Sequence, residues 1–118
     1  MDLKNLSNKE FIDLARGMWR FENARCFNGG LLRVPFLGTN DTAFGGGWMG
    51  VHYPNEISKR DTILLSRTYL KSDRLLRQVL IHEMIHQQQG QESRKRHHDR
   101  FFRNRCITIL AITGIWVN

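Results

Sequence analysis

Between Ser72 and Gly90 the chain carries Leu75, Leu76, Val79, Leu80, Ile81, Met84 and Ile85, at spacings that wind apolar surface almost all the way round a helix. Such a helix is stable only at the centre of a fold, with other elements packed on most sides. Yet the same stretch contains His82-Glu83-Met84-Ile85-His86. Positions i and i+4 share one helix face, so His82 and His86 project together. Buried polar groups need partners, and one metal ion satisfies two imidazoles at once.

Two histidines at this spacing can offer nitrogens to one Zn²⁺ at about 2.0–2.1 Å, with Glu83 beside them to take a proton from water. With five His in 118 residues, and Glu equally frequent, composition alone would supply the pattern under roughly 0.01 times in such a chain. Metal-dependent hydrolysis is therefore the leading expectation. A catalytic zinc usually takes three protein ligands and keeps one position open. A metzincin would continue with Gly at position 89 and His at position 92, whereas this chain has Gln89 and Glu92. His52 falls on an expected strand and reads as structural. His97 and His98 follow His86 closely enough for the helix to end, turn and send back another, and one of the two is expected as the third donor.

The flanking elements follow from caps and spacing. Ser7-Asn8-Lys9-Glu10 is a capping box ahead of Phe11, Ile12, Leu14, Ala15, Met18 and Trp19, which predicts an amphipathic helix ending before Asn28-Gly29-Gly30. Strand-like runs follow at Leu31 to Leu37, Ala43 to Tyr53 and Thr62 to Ser66. Gly45-Gly46-Gly47 in the middle run reads equally as a turn or as a substrate-facing edge. The apolar tail from Cys106 to Val117 is too short for a membrane span and predicts a buried strand or helix. Asp99 is expected to cap a helix rather than to accept from a metal-bound imidazole.

Size bounds the chain, 1–118, to one expected domain. No signal-type apolar stretch follows Met1, so a cytoplasmic location is expected, with Cys26 and Cys106 reduced. Neither cysteine belongs to a Cys-x-x-Cys pair, so no zinc ribbon is expected. The net charge is +7. Six of the basic residues, Arg94, Lys95, Arg96, Arg100, Arg103 and Arg105, fall in 94–105 against one acid, Asp99. That run reads equally as a solvated face or as a contact for a polyanion such as DNA. Trp19, Trp48 and Trp116 could stack on bases, although core packing is the stronger expectation for all three.

The chain resembles the SprT-like family of zinc metallopeptidases, which includes the DNA-protein crosslink protease Spartan. The likeness lies in His82-Glu83-Met84-Ile85-His86 and in His98 with Phe102 four positions on, followed by Arg103. Phe27-Asn28-Gly29-Gly30-Leu31-Leu32, Ala43-Phe44-Gly45-Gly46 and Ile63-Leu64-Leu65-Ser66 extend it over roughly residues 10–105. Asp99 stands where the family usually has Gly, and His97 with Phe101 repeats the same spacing. The resemblance implies an α+β, zincin-like minimal fold: an N-terminal helix, a small three-stranded and mostly antiparallel sheet, the central HExxH helix and a further C-terminal helix. It implies Zn²⁺ held by His82, His86 and His98, Glu83 as the catalytic base, and a protein or peptide substrate lying along the sheet edge. A monomer without membrane contact is expected, with DNA a candidate partner through 94–105. Two rival expectations are a nucleic-acid-binding module with a structural metal, and a regulatory protease of narrow substrate that ignores DNA.

Overall fold

Ser7 sets where the first long helix begins. Its hydroxyl accepts from the Glu10 amide at 3.0 Å while the Glu10 carboxylate accepts from the Ser7 amide at 2.8 Å, so the capping box closes in both directions. In a computed structural model describing residues 2–39, 49–54, 60–95 and 97–117, this helix, α1, spans Asn8–Cys26. Phe11, Ala15, Met18, Trp19, Glu22 and Cys26 form its buried stripe. It ends where Asn28 and Gly29 turn left-handed, with φ of 54° and 72°.

The run from Leu31 to Pro35, expected as the start of a strand, is not one. Its backbone is hydrogen-bonded by side chains instead. Asn23 donates to the Leu31 carbonyl and accepts from the Leu31 amide, both at 3.0 Å. The Gln87 amide donates to the Arg33 carbonyl at 2.9 Å, and Gln91 accepts from the Leu32 amide at 3.0 Å. Once those groups are satisfied, little is left for a ladder. Strand β1 begins only after Pro35, at Phe36–Thr39.

Two further strands complete the sheet: β2 at Gly50–Tyr53 and β3 at Thr62–Leu65. The order is β1-β3-β2. Beta3 is central, and its Ile63 and Leu65 are fully buried. The three strands stand as expected, but the pairing is evenly mixed: β1 runs parallel to β3 (Leu37 opposite Ile63) and β2 antiparallel to it (His52 opposite Ile63). The Ala43 to Trp48 part of the middle run, with its three glycines, lies outside the described residues.

Helix α2, Asp73–Gln91, runs through the middle of the fold. Ser72 caps it by accepting from the Leu75 amide at 3.2 Å. Leu76, Leu80, Ile81, Met84 and Ile85 are fully buried, and the helix touches α1, β2, β3 and the last helix. That last helix, α3, is Arg100–Thr113, with Asp99 as N-cap and Gly114 as a left-handed C-cap at φ 72°. Beyond it the chain turns back to α2: Ile115 and Val117 are buried, and Gln78 donates to the Trp116 carbonyl at 3.0 Å. No helix among the described residues is long and apolar enough to cross a membrane.

Candidate metal centre

One turn of α2 brings His82 and His86 together, and the turn before α3 brings His98 to them. The His98 Nε2 stands 3.2 Å from the His82 Nε2 and 3.3 Å from the His86 Nε2. Phe102, on the first turn of α3, is buried against all three imidazoles, with ring centroids 4.8, 5.0 and 4.6 Å from those of His82, His86 and His98. The four-residue spacing from His98 to Phe102 thus has a physical reason: the aromatic is the floor on which the imidazoles rest. His97 is exposed, and its side chain is not part of this cluster.

A ring that carries its proton on Nδ1 turns an Nε2 lone pair outward, so the three rings can present three lone pairs to one point. A cation placed between them accepts all three. The spacing also fits: ligands about 2.0–2.1 Å from a tetrahedral Zn²⁺ lie about 3.3–3.4 Å from one another. The donor set, three imidazoles without thiolate, suits a divalent transition metal, zinc among them.

Glu83 follows His82 on the same helix and is buried, its Oε2 4.0 Å from the His82 Nε2. Burial pushes its carboxyl up to about 8. A cation within about 4–6 Å would draw it back toward the charged form. Gly50 of β2 lies against it: a Cβ at that position would be 3.5 Å from the Glu83 Cγ and 2.8 Å from the Val79 Cγ1.

These groups line a cleft of about 690 Å³. Beta2 supplies part of the lining, Leu75 and Val79 continue the face of α2 that carries His82 and His86, and Trp116 adds further apolar surface. Trp116 is 50% exposed there. His52 also borders the cleft, but its Nε2 is 2.5 Å from the Asp61 carboxylate and it stands apart from the three-histidine cluster.

Two glutamines that sequence reasoning passed over support the centre. Gln87 accepts from the Trp19 indole N–H at 3.0 Å, tying α1 to α2. Gln89 is fully buried, its Oε1 2.7 Å from the His86 Nδ1 and its Nε2 2.8 Å from the His97 carbonyl. The available signal was polar side chains on the buried face of a core helix, the same signal that singled out His82, Glu83 and His86.

The basic segment divides in two. Arg105 donates to the Cys26 carbonyl and lies over Phe27, 5.0 Å from the ring centroid. Arg94 lies over Phe101 at 4.2 Å and 3.4 Å from the Glu92 carboxylate. Arg105 is thereby tied into the fold, whereas Arg94, Lys95, Arg100 and Arg103 are exposed. Arg96 and Trp48 lie outside the described residues. Trp19 is core, leaving Trp116 as the described indole with an open face.

Neither the curated proteins nor the solved structures compared with the chain gave a match. The family comparison did: the SprT-like family model covers residues 36–116, from β1 through the three histidines to Trp116, and the chain belongs to the SprT-like family.

Proposed function

We propose that the protein is a zinc-dependent endopeptidase in which His82, His86 and His98 hold the metal and Glu83 is the catalytic base. The observation that carries this reading is that the His98 Nε2 lies 3.2 and 3.3 Å from those of His82 and His86, with all three ligand atoms within 4.8 Å of one another, beside a buried carboxylate that lines an open cleft. Membership of a family associated with metallopeptidases supports it.

Bound zinc supplies Lewis acidity, lowering the pKa of water toward about 7 and polarising a carbonyl. The chain does the rest. Glu83 takes a proton from the attacking water and delivers it to the departing amine. The buried position around Glu83 keeps bulk water from competing for that proton. Beta2, at the sheet edge among the described residues, offers main-chain groups along the cleft to an extended peptide. Lys95, Arg100 and Arg103, exposed on the segment that carries His98, favour a substrate presented on DNA.

The test is cleavage of a DNA-associated basic protein such as a histone, with and without single-stranded DNA, by wild type and Glu83→Gln at matched zinc content. The reading predicts cleavage by wild type, stimulated by DNA, and a loss of about 10²–10⁴-fold in the variant. Wild-type cleavage that ignores DNA would favour a regulatory protease. DNA binding without cleavage in either lane would favour a binding module with a structural metal.

A further inference from the structure

Gln89 occupies the position where a metzincin would have Gly, and nothing in the HExxH pattern demands a residue there. It lies three residues after His86 on the same helix, so the two side chains are neighbours. Its amide is fully buried and reaches two elements at once.

The hydrogen bonds fix how that amide is oriented. The His97 carbonyl can only accept, so the NH₂ end of Gln89 must face it, as it does at 2.8 Å. The Asp99 Oδ1 lies 3.5 Å from the same nitrogen, another acceptor on the same side. A flipped amide would set oxygen against oxygen there. The Gln89 oxygen therefore faces the His86 Nδ1, 2.7 Å away. That oxygen also only accepts, so Nδ1 of His86 carries the ring proton, and the lone pair is left on Nε2, the atom that meets His98.

We propose that Gln89 is the positioning residue of this centre: one buried amide selects the metal-ready tautomer of His86 and fastens the segment that delivers His98. Resting on the metal site proposed above, it assigns two of the three donors to a single side chain. Asp99 completes the arrangement by capping α3 through the Phe102 amide at 3.0 Å, which seats Phe102 beneath the imidazoles.

The test compares wild type, Gln89→Leu and Gln89→Glu, each over all 118 residues. Zinc affinity is read by competition with a chromophoric chelator, and the Co²⁺-substituted spectrum reports ligand geometry. Long-range ¹H–¹⁵N NMR of the metal-free protein reads the His86 tautomer. Wild type is expected to show Nδ1 protonated. Gln89→Leu is expected to populate both tautomers and to bind zinc about 10–100-fold more weakly. Gln89→Glu still accepts from Nδ1–H but sets an oxygen against the His97 carbonyl and Asp99, so it should keep the Nδ1-protonated tautomer and still bind zinc more weakly than wild type. An unchanged affinity in Gln89→Leu, an unchanged affinity in Gln89→Glu, or a wild-type His86 protonated at Nε2 would each overturn the proposal. The NMR reading needs no variant and stands even where a substitution fails to fold. Wild type binding neither Zn²⁺ nor Co²⁺ would instead bring down the metal-site reading beneath it.

Discussion

Gly50 shows how much a single residue can decide. With no Cβ, it lets β2 approach α2 where Val79 and Glu83 face the strand; an added methyl would come 2.8 Å from the Val79 Cγ1 and 3.4 Å from the Leu64 carbonyl oxygen. Valine is stiff and the backbone cannot yield, so Gly50→Ala should move β2 outward. The cost should be about 1–3 kcal/mol, as for other overpacked sites, with zinc content unchanged and kcat/KM lowered at least about tenfold, since small misplacements near reacting groups cost that much or more. Denaturant melts and steady-state kinetics on one preparation check both halves. Trp116 makes the complementary prediction. Its indole lines the cleft but offers no metal ligand, so Trp116→Ala should raise KM for apolar-containing peptides while leaving zinc content intact. At this scale His82, Glu83 and His86 were legible because their relation is local to one helix. Gln89 was not, because its partner carbonyl comes from a turn beyond the helix end, and Glu22 was not, because its arginines lie on two helices.

Glu22 belongs to the scale of elements. It is fully buried on α1 and accepts from Arg25 on the same helix, at 2.5 Å, and from Arg77 on α2. Burial alone would raise its carboxyl, but the hydrogen bonds from Arg25, Arg77 and the Cys26 thiol outweigh it and hold the group below the usual carboxylate range. A carboxylate depressed in the folded state stabilises fully above its unfolded value, about 4.3, and that contribution is lost as pH falls through the lower folded value. Glu22→Gln should therefore be less stable at neutral pH by about 1.5–3 kcal/mol, the range for hydrogen bonds to charged groups. It should also show a flatter loss of stability in acid; urea melts from pH 7 down to pH 3 read both. The helices themselves were legible from caps and spacing, since Ser7, Ser72 and Asp99 each mark a start. The sheet was less so. Four-residue strands carry little pattern, and the parallel pairing of β1 with β3 is set by contacts far apart in sequence. The 31–35 segment looked like a strand because its residues suit one, yet side chains of Asn23, Gln87 and Gln91 took its backbone groups.

For the whole molecule, α2 is both the hub of the core and the carrier of two of the proposed ligands, so metal binding and stability should be coupled. A ligand that binds only the folded state stabilises by RT ln(1 + [L]/Kd), about 2.7 kcal/mol at a hundredfold excess over Kd. Chelation should accordingly lower Tm, and zinc should restore it. The charge of +7 acts at this scale too. Arg105 is engaged in the fold and Arg94 lies over Phe101, so Lys95, Arg100 and Arg103 are the described cations of the 94–105 run left for phosphates, and the salt dependence of DNA binding should be that of a few contacts. The most direct measurement is the zinc content of purified wild type, His97→Ala and His98→Ala after dialysis against trace zinc. The proposed site predicts one zinc per chain in wild type and in His97→Ala, and its loss in His98→Ala; zinc kept by His98→Ala and lost by His97→Ala, or absent from wild type, would contradict it.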